Sequence, residues 1–466
     1  MFFGREQELT KLNKAYQGNG FEFAVFYGRR RVGKTTLINE FLRNKPSAYY
    51  MAAEGTKEEN LKGLTTAIIS SVQGFPTATV SYGDFDSLLQ YIDQLAQTGN
   101  RFVIAIDEYP YLAASYPAIS SLIQRHIDQC WKDSKLFFIL CGSSMSFMDE
   151  QVLGYKSPLY GRRTSQFKIR PFTFFETKKM LPNYNSEDQA ILYAVTGGVP
   201  EYISRIDLAL SVDENIINLF FDESGRLFEE PSNLLKQELK EPASYHSIIT
   251  AIASGASRMN EIATKTGLES SGCSNQITTL ISLGIVKKEY PITESAQGKK
   301  TIYRLQNSMF LFWYRFVRPN ASSIVRGMGT QVYTSQVKPY LNHFMGLVFE
   351  EMCIQYLYLP EVFETLPFVL GNVGRWWGKN KQEKRQEEID IMSVNENQAL
   401  LCECKWRNEM QDSDVIETLV QRGNLFFYPQ KYFYVFSKSG FTEHAKIKAK
   451  ELDNVVLVSY EEMWKM

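Results

Sequence analysis

The chain has no apolar run long enough to span a bilayer, no Cys-x-x-Cys pair among its six cysteines and only four histidines. Formal net charge is −1, so neither sign dominates. Each shortage excludes a class. A membrane-spanning protein needs about 20 consecutive apolar residues. The opening Met1-Phe2-Phe3-Gly4-Arg5-Glu6 lacks the basic, apolar and small-residue layout of a secretory signal, so a cytoplasmic protein with no membrane partner is expected. Unpaired cysteines and scattered histidines signal neither a disulfide framework nor a zinc site. Balanced charge means that any nucleic-acid surface must be a local patch. With 44% hydrophobic and 22% charged residues the composition is that of a globular chain, and 466 residues suggest roughly three domains.

What is present starts at Gly28-Arg29-Arg30-Arg31-Val32-Gly33-Lys34-Thr35-Thr36, between an apolar run, Phe21 to Tyr27, and a helical pattern from Thr36 to Leu42. Strand, glycine loop and helix in that order make a phosphate-binding loop. The glycines let backbone N–H groups turn inward around the phosphates, and the helix presents its positive end. Lys34 can reach the β and γ oxygens, and Thr35 can hold Mg²⁺. The spacing predicts binding of ATP or GTP.

A second apolar run, Arg101 to Ile106, ends in Asp107 and Glu108. A buried parallel strand reads as a continuous apolar run, and ligand groups gather at its carboxyl end. Asp107 is placed to hold Mg²⁺ through water, and Glu108 to polarise the attacking water. A further strand, Leu136 to Cys141, ends at Gly142-Ser143-Ser144, where a hydroxyl can stand between the acid and a γ-phosphate.

Taken with Pro158-Leu159-Tyr160-Gly161-Arg162-Arg163 and Gly197-Gly198-Val199-Pro200-Glu201-Tyr202, these motifs resemble the archaeal-type ATPase family, within the P-loop ATPases related to AAA+ and STAND proteins. The resemblance implies ATP rather than GTP, with Gly4-Arg5-Glu6 near the base. It implies a polar sensor at Ser143 or Ser144, an arginine near the γ-phosphate at Arg162 or Arg163, acting in trans if the protein forms a homo-oligomer, and a helical lid carrying Gly198 to Pro200.

After Pro242 the texture changes. Helical patterns cover Ser244 to Ala253, Met259 to Lys265 and Cys273 to Ile281, and a strand pair follows, Ile285 to Tyr290 and Thr301 to Leu305. Three helices and a β-wing make a winged helix, which docks on DNA or on a protein. The aromatic segment Asn307 to Arg318 reads as core or interdomain packing.

In the last third, Glu388 to Met392 and Ala399 to Trp406 read as a hairpin. Side chains alternate along a strand, so Glu403 and Lys405 share a face that Asp390 can meet. Two carboxylates and a lysine can bind Mg²⁺ or Mn²⁺ and orient a hydroxide toward a phosphodiester. Asp390 followed by Glu403-x-Lys405 resembles the PD-(D/E)xK nuclease superfamily, with Ile389 where that motif carries proline. The resemblance implies that Glu350, on a helix over Tyr340 to Tyr358, is an outer metal ligand, within an α-β-β-β-α-β order.

The expected architecture is therefore α/β: a P-loop parallel sheet with a helical lid over 1–240, a winged helix over 241–318 and a restriction-endonuclease-like domain over 319–466. The expected function is ATP hydrolysis in a DNA-associated protein, coupled to a metal-dependent nuclease domain. The alternative is a nucleotide-dependent switch that binds a protein or DNA partner and keeps the nuclease fold without cleavage.

Overall fold

A computed structural model describes residues 2–73, 82–239, 241–295, 298, 300–380 and 383–466. The chain divides into two compact units: Met1–Phe172 with Val199–Glu201, and Thr173–Gly198 with Tyr202–Met466.

The first unit is built on a five-stranded sheet in the order β2-β3-β4-β1-β5. Its strands are β1 (Glu22–Tyr27), β2 (Ser47–Met51), β3 (Phe102–Asp107), β4 (Leu136–Gly142) and β5 (Ser165–Lys168), and all pairs are parallel. Helices α1 (Glu6–Gln17), α2 (Lys34–Leu42), α3 (Lys57–Gln73), α4 (Phe85–Gln97), α5 (Tyr109–Ser115) and α6 (Ile119–Gln129) cover both faces. The central strands are apolar without alternation because each face has a core to fill. Phe23, Val25, Ile104, Ile106, Phe138 and Leu140 point into one core, with α3 to α6. Ala24, Phe26, Val103, Ala105, Phe137 and Ile139 point into the other, with α1 and α2. The parallel arrangement brings the carboxyl ends of β1, β3 and β4 to one edge, where the glycine loop, Asp107 and Ser143 follow.

The second unit contains three helices, Pro242–Ala253, Met259–Thr266 and Ser270–Ser282, and an antiparallel ribbon of β6 (Val286–Glu289) and β7 (Ile302–Leu305). A five-stranded sheet has the order β12-β11-β10-β9-β8, from β8 (Val373–Asn380), β9 (Arg385–Val394), β10 (Gln398–Lys405), β11 (Gln430–Ser437) and β12 (Val455–Ser459). The pairs β8–β9 and β9–β10 are antiparallel, while β10–β11 and β11–β12 are parallel. Ala399, Leu401, Val435, Ile416 and Leu419 form a core between this sheet and the helix Ser413–Gly423. The helix Leu341–Leu357 contributes Phe349, whose ring lies 5.1 Å from Trp406.

The aromatic segment packs as its composition suggests. Phe310, Phe312, Trp313, Tyr314 and Phe316 are all buried, and Trp313 Nε1 donates to Phe228 O at 2.6 Å. The expected lid helices fall in the second unit, because their polar groups bond the C-terminal helices. Gln355 Oε1 accepts the Phe174 N–H and its Nε2 donates to Tyr193 Oη, both at 2.8 Å. Trp464 Nε1 donates to Gln189 Oε1 at 2.7 Å, and Lys178 Nζ to Trp464 O at 2.6 Å.

Candidate nucleotide site and C-terminal acidic cluster

The loop after β1 takes its shape from one close backbone approach and from left-handed residues. A Cβ on Gly28 would lie 2.2 Å from Ile169 O, and Gly33 has φ +89°. Arg31 is also left-handed at φ 70°. The loop delivers the chain into α2, whose first N–H groups have no partner within the helix and form an anion seat. Lys34 Nζ donates to Gly28 O and Arg29 O, both at 2.9 Å, and burial lowers its proton affinity. Val32 is buried, and its carbonyl accepts from Arg5 Nη2 at 3.1 Å. Arg5 stacks on Phe172 at 4.7 Å, so it braces the loop from behind. Arg30 Nη2 donates to Tyr111 Oη at 2.8 Å. Thr36 is exposed on the first turn of α2. A Cβ on Gly33 would stand 4.0 Å from Pro200 Cγ, so the Pro200 ring borders the loop.

Thr35 Oγ1 donates to Asp107 Oδ2 at 2.6 Å, and Tyr49 Oη donates to the same oxygen at 2.9 Å. Burial and the Asp107 charge hold the Tyr49 hydroxyl in its protonated form by pushing its pKa well up. Glu108 has φ 48° and ψ 42°, an uncommon conformation for this residue type of the kind that concentrates at functional sites. Ser143 Oγ lies 2.9 Å and 2.8 Å from the two Glu108 carboxylate oxygens. The sequence placed Lys34, Thr35, Asp107, Glu108 and Ser143 around one loop, and these contacts bring Thr35 to Asp107 and Ser143 to Glu108. Tyr49 and Tyr111 escaped sequence reasoning. Tyr49 is next to β3 only through the β2–β3 register, in which it faces Ala105.

The two arginines are occupied elsewhere. Arg162 grips Asp128 through Nε at 2.8 Å and Nη2 at 2.7 Å, and donates to Pro158 O and Tyr160 O. Arg163 Nη1 donates to Leu153 O at 3.3 Å. Their described hydrogen bonds do not reach the glycine loop or the Asp107–Glu108 pair. The two-pronged bond to Asp128 fixes the Arg162 guanidinium plane against the end of α6.

The site fits a nucleotide and its magnesium. A hydroxyl and a carboxylate meet at 2.6 Å beside an anion seat, and the buried ammonium rests on carbonyls that phosphate oxygens can replace.

The C-terminal cluster is built differently. The β9–β10 ladder ends at Cys402 opposite Ile391, and beyond it Asp390 Oδ2 accepts the Cys404 N–H at 2.9 Å. Burial, then the charges of Glu403 and Glu350, push the Asp390 carboxyl up to about 7. Glu403 Oε2 accepts from Arg422 Nη1 at 2.8 Å, and its Oε1 accepts from Lys405 Nζ. Arg422 Nε also donates to Glu387 at 3.0 Å. Glu350 Oε2 accepts from Arg375 Nη1 at 2.8 Å, and burial raises its pKa despite that partner. Among the described residues no group of three or more His, Cys, Asp or Glu side chains is arranged to hold a metal ion.

The expected cluster is partly assembled: Lys405 bonds Glu403, and the charges of Glu403 and Glu350 act on Asp390. Glu403 and Glu350 already face cations, and Asp390 is turned onto a backbone N–H. The sequence missed Arg375 and Arg422, which arrive from β8 and from the helix Ser413–Gly423. No described helix is long and apolar enough to cross a membrane.

Comparison with known proteins agrees with the first site. Residues 2–206 match an ATPase domain found predominantly in Archaea, and residues 313–416 match archaeal and bacterial proteins of unknown function. An uncharacterized protein of Methanocaldococcus jannaschii is 32% identical over 471 residues, spanning 99% of this chain and 100% of its own. An uncharacterized ATP-binding protein of Pyrococcus abyssi is 23% identical over 245 residues, 44% of this chain and 71% of that one. A solved Walker-type ATPase of Pyrococcus abyssi shares the fold at TM-score 0.52 and 19% identity, covering 67% of this chain and 96% of that one. The chain belongs to the family of archaeal-type, ATP-binding P-loop ATPases in which this ATPase domain precedes this C-terminal domain.

Proposed function

We propose that the chain is an ATP-driven switch that associates with DNA, and that its C-terminal domain serves for recognition rather than cleavage. The observation that carries the reading is the contrast in how carboxylates are held. Asp107 and Glu108 rest on hydroxyls, whereas Glu403 and Glu350 are neutralised by Arg422, Lys405 and Arg375.

In this reading Lys34 exchanges its two carbonyl partners for β- and γ-phosphate oxygens. Thr35 and Asp107 would hold Mg²⁺, which supplies neutralisation of the phosphate charge. Glu108, oriented by Ser143, accepts the proton of the attacking water. Arg5 braces the loop through Val32, and Arg162 braces α6, leaving a role in trans to Arg163 if two copies meet. Pro200, whose ring borders the loop, is placed to answer to the nucleotide state.

The DNA reading rests on the element order from Pro242 to Leu305, three helices and a ribbon, which is that of a winged helix. The C-terminal order, helix Leu341–Leu357, β8, β9, β10, helix Ser413–Gly423 and β11, follows the PD-(D/E)xK pattern, so the fold is proposed as nuclease-like while its acidic cluster has become structural.

The test is Mg²⁺-dependent ATP hydrolysis, duplex-DNA binding at low salt and plasmid nicking in Mg²⁺ or Mn²⁺, each on the full chain. ATP turnover lost in Lys34→Ala, DNA binding without nicking, and affinity that changes with nucleotide support the switch. Nicking that disappears in both Asp390→Ala and Lys405→Ala restores the nuclease. Turnover unchanged by Lys34→Ala removes the ATPase assignment.

A further inference from the structure

The β6–β7 ribbon is a basic stretch of the second unit. Residues 286–305 carry five Lys or Arg and two Glu in a chain of net charge −1. In the antiparallel register Lys287 faces Arg304, so two cations stand side by side. Each already has a carboxylate neighbour as the ribbon lies. Lys287 Nζ is 2.6 Å from Glu289 Oε1. Arg304 Nη1 is 3.7 Å from Glu289 Oε2 and 3.6 Å from Glu350 Oε2. Glu350, on the helix Leu341–Leu357, is shared with Arg375 of β8 at 2.8 Å. The side chains of Glu289, Glu350 and Arg375 are only 16%, 16% and 15% exposed, so water screens this network little. Removing one member leaves a desolvated charge behind, which is the costly way to break such a network.

A second tie lies next to the first. The Ile292 N–H donates to Arg375 O at 3.0 Å, and the Ile292 side chain packs against the core of the five-stranded sheet. A Cβ on Gly374 would stand 3.8 Å from Ile292 Cβ. The ribbon is therefore fastened to the C-terminal domain by an apolar peg and by a carboxylate that two guanidinium groups share.

We propose that Glu350 is the keeper of an ionic latch: it holds the ribbon, and with it Arg304 and Lys287, against the C-terminal domain, and so masks a surface for the phosphate backbone of duplex DNA. Carboxylate and phosphate compete for the same guanidinium because both offer paired anionic oxygens. Lys288 is exposed on the same strand and provides the first contact, from which a duplex can draw Arg304 off Glu350. The buried acid that sequence pattern offers as a metal ligand is then a substitute for phosphate. The inference rests on the DNA association proposed above.

The experiment compares three forms of the full chain in duplex-DNA binding as a function of salt, with amide exchange of residues 286–289 and 302–305 followed in parallel. Glu350→Gln removes the charge that competes with phosphate. Its ribbon amides are expected to exchange faster than those of the wild type. Its affinity should rise about tenfold at low salt, with a salt slope steeper by about 1, from Arg304. Ile292→Cys with Gly374→Cys locks the ribbon, since 3.8 Å between Cβ atoms suits a disulfide. This variant needs no ionic residue removed. Its oxidised form should bind DNA more weakly than its reduced form, and reductant should restore binding. Equal affinity in the wild type, Glu350→Gln and both redox forms overturns the latch and leaves the DNA reading standing. No binding by any form at low salt overturns the DNA reading and the masking role with it.

Discussion

Two strand ends in this molecule carry a pair of acids or an acid and a lysine, and their surroundings are opposite. At the end of β3 the Asp107 carboxylate accepts from Thr35 and Tyr49, and Glu108 accepts from Ser143, so both acids are oriented by neutral hydroxyls. At the end of β10 the Glu403 carboxylate is closed from both sides by Arg422 and Lys405. A carboxylate oriented by hydroxyls keeps its charge available for a cation or a proton. One that is paired with two cations has spent it. The same residue types thus make a prepared site in one unit and a structural joint in the other.

The largest effects test the prepared site. Lys34→Ala and Glu108→Gln should each lower ATP turnover by about 10²–10³-fold or more, since each removes a charged group aimed at the reacting phosphate or water. Steady-state phosphate release measures it. An Asp107 or Glu108 variant with turnover near the wild type would place the chemistry elsewhere and erase the contrast. The structural joint should respond in stability. Arg422→Ala takes one of two cations from each of Glu387 and Glu403, whose side chains are 4% and 8% exposed and which keep Arg385 and Lys405, at a cost of about 1.5–3 kcal/mol. The melting transition of the second unit should move down while that of the first stays in place. In Arg422→Ala with Glu403→Gln part of the loss should return, because one half-compensated buried carboxylate has gone.

A smaller effect sharpens the comparison within the first site. Ser143→Ala leaves Glu108 in place without its hydroxyl partner. Turnover should fall about 10- to 100-fold, the ~1.5–3 kcal/mol of a hydrogen bond to a charged group, and ATP binding should stay near that of the wild type. A Ser143→Ala variant that loses ATP binding instead would make Ser143 part of the nucleotide pocket.

The two sites also differ in how far the sequence disclosed them. The glycine loop is local: Gly28 and Gly33 are needed for backbone reasons, Lys34 and Thr35 follow within two residues, and the apolar runs of β1, β3 and β4 announce a parallel sheet. Asp107, Glu108 and Ser143 are legible because a parallel sheet brings strand ends to one edge. The C-terminal acids are equally visible, but their meaning is set by Arg375, Arg422 and Arg304, which lie 15, 32 and 86 positions from Asp390 in sequence and carry no pattern of their own. Tyr49 was hidden for the same reason, since only the β2–β3 register takes it to Asp107. The lid helices joined the second unit through long-range contacts, among them Gln355 with Phe174 and Tyr193, Trp464 with Gln189 and the Phe174–Tyr460 ring pair, whose partners hydrophobic periodicity does not encode.

The smallest effect concerns pH, and two groups of the second unit act in opposite directions. His246 accepts or donates at Tyr314 Oη at 2.6 Å, and burial, with Arg318 and Lys236 nearby, lowers its pKa from the ordinary 6.5 to about 4. A lowered histidine is neutral in the folded state, so its contribution is present above 6.5 and is lost as pH falls toward 4. Asp390 is raised from 3.8 to about 7, so the folded state binds its proton more tightly than the unfolded chain. That contribution is present below 3.8 and is lost as pH rises through 7. Between about pH 4 and 6.5 the two slopes oppose each other, and the stability of the second unit should change little in the wild type. Substitution separates them. His246→Gln should leave a stability that declines from pH 4 to 7, and Asp390→Asn, whose amide oxygen can still accept the Cys404 N–H, should leave one that rises from pH 4 to 6.5. Urea midpoints of the second unit at half-unit pH steps measure both. If the wild type already rises from pH 4 to 6.5 and Asp390→Asn leaves that slope unchanged, the carboxyl is ionised in the folded protein, and the β10 end is closer to the prepared state of the β3 end than its ion pairs imply.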